Sequence, residues 1–101
     1  VGWGEAASVL STDVWMLLGG PESEMAGKRR VLALFTGTEE LMSVAAKDGI
    51  FMHCLPAHRG EEVSATVIDG PRSLIWREAL HRRTTIQALL FHLVRGDLQG
   101  R

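Results

Sequence analysis

One run constrains this chain more than any other: Ile50-Phe51-Met52-His53-Cys54-Leu55-Pro56-Ala57-His58-Arg59-Gly60-Glu61-Glu62-Val63. Three apolar residues of strand type lead into a histidine, the only cysteine and a Leu-Pro step, and then into a charged turn. Buried strands of α/β sheets end this way where a site lies at their carboxyl edge. The proline removes an amide donor and keeps Leu55 out of the helical region. An X-Pro step also has little preference for trans, so a cis bond is accessible here. The turn is shaped to present the Cys54 thiol and the backbone of Cys54 and Leu55 to a ligand.

The flanks supply alternating elements. Residues 9–15 are rich in β-branched side chains and form the first strand candidate. Asp13, near its end, is either a solvated or capping carboxylate or one placed at the sheet edge to hold a ligand ammonium. Gly19-Gly20-Pro21 marks a loop. Leu17 and Leu18, just before it, read as anchors against the domain, with a substrate lid as the alternative. A helix over 24–34 carries Lys28, Arg29 and Arg30 on a solvated face. Thr38 caps a further helix with Glu39 and Glu40 in its first turn, and Asp48-Gly49 stops it. The strand at 50–52 follows at once. A short helix spans Ala65–Ile68, and a third strand is expected at 73–76. The last helix runs over 77–95, where Ile86, Leu89, Leu90, Leu93 and Val94 keep helical spacing; Gly96 closes it.

The fold class is therefore α/β. It is a partial Rossmann-like domain, with three short parallel strands, flanking helices and a long C-terminal helix. A sheet this thin exposes an edge, which favours self-association. The 101 residues are 46% hydrophobic and carry a net charge of −1, so nothing electrostatic argues for nucleic acid or an anionic membrane. One cysteine rules out an internal disulfide framework and suits a reducing, cytoplasmic setting. No apolar run reaches the ~20 residues of a membrane span. The opening Val1-Gly2-Trp3-Gly4, without a methionine, suits a fragment or an unusual start.

Spacing alone leaves the chemistry open. Cys54 beside His53 invites a nucleophile–base pair, but neighbours on a strand point to opposite faces. An inert buried thiol is the competing reading. No structural-zinc spacing is present, and His81 and His92, three turns apart, lack a further ligand. Arg82 is either a surface arginine or a fork for a phosphate or carbonyl group.

The run His53-Cys54-Leu55-Pro56-Ala57-His58-Arg59-Gly60-Glu61-Glu62-Val63 closely resembles the signature of ornithine carbamoyltransferases. Thr12-Asp13-Val14-Trp15, Val67-Ile68-Asp69-Gly70-Pro71 with Ser73, and Glu78-Ala79 with Arg82 resemble three further landmarks of that family, in the family's order. The resemblance implies one partial domain over residues 1–101, the C-terminal portion of the ornithine-binding domain, without the carbamoyl-phosphate domain. It implies carbamoyl transfer from carbamoyl phosphate to the ornithine side-chain amine, giving citrulline for arginine biosynthesis, with no metal or organic cofactor. It places Asp13 at the ornithine α-ammonium, Cys54 and Leu55 at carbamoyl phosphate and the reacting amine, and Arg82 at the carbamoyl oxygen. It also implies a cis Leu55-Pro56 bond and a homo-oligomeric, trimer-based family. Leu17-Leu18-Gly19 stands where the family has a Ser-Met-Gly lid, and His81 where it has Asn. The Ser-Thr-Arg-Thr-Arg and His-Pro-x-Gln motifs do not occur in these 101 residues. The isolated chain is expected to be inactive. The alternatives are a non-catalytic amino-acid-binding or trimer-docking remnant, and a carbamoyltransferase for another amine.

Overall fold

A computed structural model describes residues 4–15 and 21–96. In chain order the elements are β1 (Val9–Thr12), α1 (Glu22–Leu32), a 3-10 turn (Ala33–Phe35), α2 (Glu39–Val44), β2 (Ile50–His53), α3 (Ala65–Ile68) and α4 (Ile75–Arg95). β1 and β2 pair in parallel, with Leu10 opposite Phe51 and Thr12 opposite His53. β2 alternates as a strand with one buried face should: Phe51 and His53 are fully enclosed, while Ile50 and Met52 are partly open. Leu10, Leu41, Met42, Phe51, Val63, Val67, Ile68 and Ile75 form the core around it.

The helix caps follow the side chains. Thr38 Oγ1 accepts from Leu41 N at 3.2 Å and starts α2. Ser64 Oγ accepts from Val67 N at 3.3 Å and starts α3. α2 stops at Val44, earlier than Asp48-Gly49 suggests, because Ala45 is already extended. The Arg72 guanidinium then collects the carbonyls released there, donating to Met42 O at 2.8 Å, Ala46 O at 2.6 Å and Gly49 O at 2.6 Å. Gly96 ends α4 in the left-handed region, at φ 77°.

Among the described residues the sheet has two strands rather than three. The expected third strand at 73–76 shrinks to one parallel bridge, Phe51 to Ser73, made by Phe51 N to Arg72 O and Leu74 N to Phe51 O, both 2.9 Å. Ile75, the next apolar residue, is fully buried as the first residue of α4, and Trp76 turns outward. The apolar pair that looked like a strand thus serves as the packed start of a helix. The first strand ends at Thr12 rather than at 15. Residues 4–7 form a turn, with Ala7 N bonded to Gly4 O and Ala6 at φ 56°. α4 extends about 30 Å, and Ile86, Leu89, Leu90, Leu93 and Val94 along it are between 46% and 87% exposed. That apolar surface has no cover among the described residues.

Candidate functional site

β2 delivers the bend where its period of two predicts. His53 points into the core, fully buried, and Cys54, the next residue, is exposed. The two side chains are not a nucleophile–base pair. After Cys54 the chain reverses sharply: Leu55 lies at φ 56°, and the Leu55–Pro56 peptide is cis, as the resemblance implied. A leucine in the left-handed region needs local support. Here Leu55 N donates to His53 Nδ1 at 2.9 Å. That bond makes Nδ1 the acceptor and leaves the ring proton on Nε2. Nε2 faces the fully buried Glu62, 3.3 Å from Oε1, without reaching hydrogen-bond geometry. Glu62 Oε1 in turn accepts from His58 N at 2.6 Å. The returning limb of the turn is thereby tied to the strand it left.

The bend joins two of the expected site residues. Cys54 Sγ donates to Asp13 Oδ1 at 3.3 Å, and Arg82 Nη1 donates to Cys54 O at 3.3 Å. Asp13 sits just past β1, and Arg82 lies in the second turn of α4. Topology, not sequence proximity, brings them to one point. The Asp13 carboxyl is held below its ordinary pKa, first by the Val14 N–H at 2.7 Å and then by the thiol. The same contact with Asp13, helped by partial burial, pushes the Cys54 thiol up. Cys54 is therefore a protonated donor, which does not suit covalent attack. Leu17 and Leu18 lie outside the described residues.

A cavity of about 780 Å³ opens between the bend and α4, with Met52, Cys54, Leu55, Glu78, His81 and Arg82 among its lining. Asp13 lines a second cavity of about 390 Å³ with Ser11, Thr12, Leu32 and Phe35. The bend stands between a carboxylate side, suited to an ammonium, and a guanidinium side, suited to a carbonyl or phosphate oxygen. Among the described residues, His58, Glu61 and Glu62 are the group whose ligand atoms fall within 4.8 Å of one another. Arg29 already pairs with Glu61 at 2.8 Å, so this cluster reads as an ion-pair tie between α1 and the turn. Arg29, expected on a solvated face, has a structural partner there. Arg59 and Asp69 make a second, two-pronged pair at 2.7 and 2.8 Å.

Sequence reasoning missed the residues that hold the bend. Glu62 looked like one more charge in a turn, yet it is fully buried. Glu78 was noted only within a resembling segment, yet its Oε2 accepts from His53 N at 2.9 Å. The available signals were modest: a second glutamate just before the apolar Val63, and Glu78 four residues from Arg82, on the same face of a helix.

Residues 4–93 match the model of the family described as aspartate/ornithine carbamoyltransferase, Asp/Orn binding domain. The chain is 50% identical over 90 residues to the ornithine carbamoyltransferase of Azoarcus sp. (strain BH72), which covers 89% of this chain and 29% of the relative. Among solved structures, the ornithine carbamoyltransferase from Pyrococcus furiosus aligns with a TM-score of 0.78 and 43% identity, over 85% of this chain and 27% of that one. The anabolic ornithine carbamoyltransferase from Campylobacter jejuni aligns with a TM-score of 0.79 and 38% identity, over 91% and 30%. The chain thus spans under a third of the length of these relatives. A parallel β1–β2 pair, a reversed bend at its carboxyl edge and an arginine on the following long helix are features of a chain that belongs to the aspartate/ornithine carbamoyltransferase family.

Proposed function

We propose that this chain is the amino-acid-binding part of an ornithine carbamoyltransferase. Asp13 holds the α-ammonium of ornithine. Leu17 and Leu18, which stand in the sequence where the family has its lid segment, are assigned to ornithine binding. Cys54 and Leu55 face the reacting amine and carbamoyl phosphate, mainly through main-chain groups, and Arg82 binds the carbamoyl oxygen. In the reaction, the side-chain nitrogen of ornithine attacks the carbamoyl carbon. A C–N bond forms, the C–O bond to phosphate breaks, and the amine gives up a proton, leaving citrulline and phosphate. Positioning and charge stabilisation carry such a transfer, so no metal or organic cofactor is assigned.

The observation that carries this reading is the position of Cys54, in contact with Asp13 on one side and Arg82 on the other. The chain's 101 residues contain neither the Ser-Thr-Arg-Thr-Arg nor the His-Pro-x-Gln motif of the family. On this reading the isolated chain binds ornithine but makes no citrulline. Calorimetric titration tests this. Heat on ornithine addition that Asp13→Ala abolishes supports the reading. Silence in the wild type, with no association on mixing with an intact relative, marks a decayed remnant. Heat with a different amine or amino acid instead of ornithine marks a carbamoyltransferase of other specificity.

A further inference from the structure

The β2 edge that faces Ser73 carries donors on odd-numbered residues. Phe51 N finds Arg72 O at 2.9 Å, as in a ladder. The next donor on that side is His53 N. A third strand would answer it with a carbonyl, but the chain has already entered α4 at Ile75. A backbone N–H left unpaired on a fully buried residue is costly. The acceptor that arrives instead is a side chain, Glu78 Oε2, at 2.9 Å. Four residues on, and so on the same helical face, Arg82 donates to Cys54 O at 3.3 Å. α4 thus grips two consecutive residues, the last of β2 through its N–H and the first beyond it through its carbonyl.

We propose that Glu78 is a positioning residue for the 54–56 bend: its carboxylate replaces the missing strand at His53 N and fixes the rotation of α4, so that Arg82 meets the Cys54 carbonyl. Its functional weight rests on the reading that this bend faces the substrates. A charged acceptor makes a stronger bond than a ladder carbonyl, and it locks the helix and the strand end together at one point. A small error in that docking would move the guanidinium relative to the bend, and positioning errors near 1 Å are costly in a site of this kind.

Amide hydrogen exchange in the full chain, followed by NMR, tests the assignment with an internal control. Phe51 N shares the strand and the core but bonds to Arg72 O, not to Glu78. In Glu78→Ala, exchange at His53 is expected to speed up on the order of tenfold relative to Phe51, with altered Cys54 and Leu55 amide shifts. In Glu78→Gln, which keeps an acceptor oxygen, His53 protection and the bend's shifts are expected to return. Should the alanine variant fail to fold, Glu78→Asp draws the carboxylate back by one methylene and must show the same selective loss at His53. Equal acceleration at His53 and Phe51 would mean general destabilisation and overturn the proposal. Unchanged His53 protection would overturn it too. No ligand enters this measurement, so a failure of ornithine binding in the wild type would sink the functional reading and leave the role of Glu78 standing.

Discussion

Removing Glu62 should cost this small domain a large share of its stability. Its side chain is fully buried, accepts from His58 N at 2.6 Å and stands 3.3 Å from His53 Nε2. Glu62→Ala leaves the His58 N–H without its acceptor and the enclosed His53 ring without a facing carboxylate. A hydrogen bond to a charged group contributes ~1.5–3 kcal/mol, and a partly buried N–H left without its acceptor adds its own desolvation cost. Together these give a loss of about 2–4 kcal/mol. A domain of this length has roughly 5–15 kcal/mol in total. The assay is urea unfolding followed by tryptophan fluorescence. With a slope near 2 kcal/mol/M, the midpoint should fall by about 1–2 M. Glu62→Gln keeps an oxygen for the His58 N–H and should lose less than half as much. Because His53 also holds Leu55 N, the alanine variant should speed amide exchange at Leu55 as well. A midpoint shift under ~0.3 M would show that Glu62 is not a structural tie and that the bend is held by something else.

Three further outcomes are expected. Arg72→Ala removes three bonds to the carbonyls of Met42, Ala46 and Gly49; it should lower the urea midpoint at least as far as Glu62→Ala, with Arg72→Lys recovering only part. Cys54 is the sole cysteine, so its alkylation rate against pH reports one thiol. Asp13 holds that thiol up, so the midpoint should lie above that of a free thiol and drop in Asp13→Ala, while Asp13's own contribution to stability is present above the ordinary carboxyl range and fades as pH falls through its lowered value. Sedimentation should show association that grows with concentration, driven by the exposed apolar face of α4, and Leu90→Glu with Leu93→Glu should reduce it.

The parts legible in the sequence were those set by local rules. Strand period put His53 and Cys54 on opposite faces; that His53 is the buried one and the thiol the exposed one is a finding of the structure. Thr38 announced its helix as a cap, and Gly96 announced the end of the last one. The strand-to-turn transition at Pro56 marked the bend. What stayed hidden depends on partners far along the chain. Ser73-Leu74-Ile75-Trp76 has strand composition, but Ile75 is worth more as a core plug at the start of α4 than as a strand residue. The role of Glu78 exists only because that strand is absent. Glu62 and Arg72 are charged residues that turn inward, and composition favours the solvent for both. The carbonyls that Arg72 meets lie 23 to 30 residues away, beyond any local window, and Glu62 reaches His58 N only because the chain turns between them. Asp13 and Arg82 were candidates from the outset, but their convergence on Cys54 is a property of the parallel pairing and of the helix that follows.

The most direct test of the bend as the substrate-facing element is an NMR titration of the full chain with ornithine and then with carbamoyl phosphate. Shift changes should concentrate on the Cys54 and Leu55 amides, with ornithine reaching Val14 beside Asp13 and carbamoyl phosphate reaching the Arg82 side chain. Shifts confined to other surfaces, or none at Cys54 and Leu55 with either ligand at millimolar concentration (about the weak end of specific binding), would contradict the account.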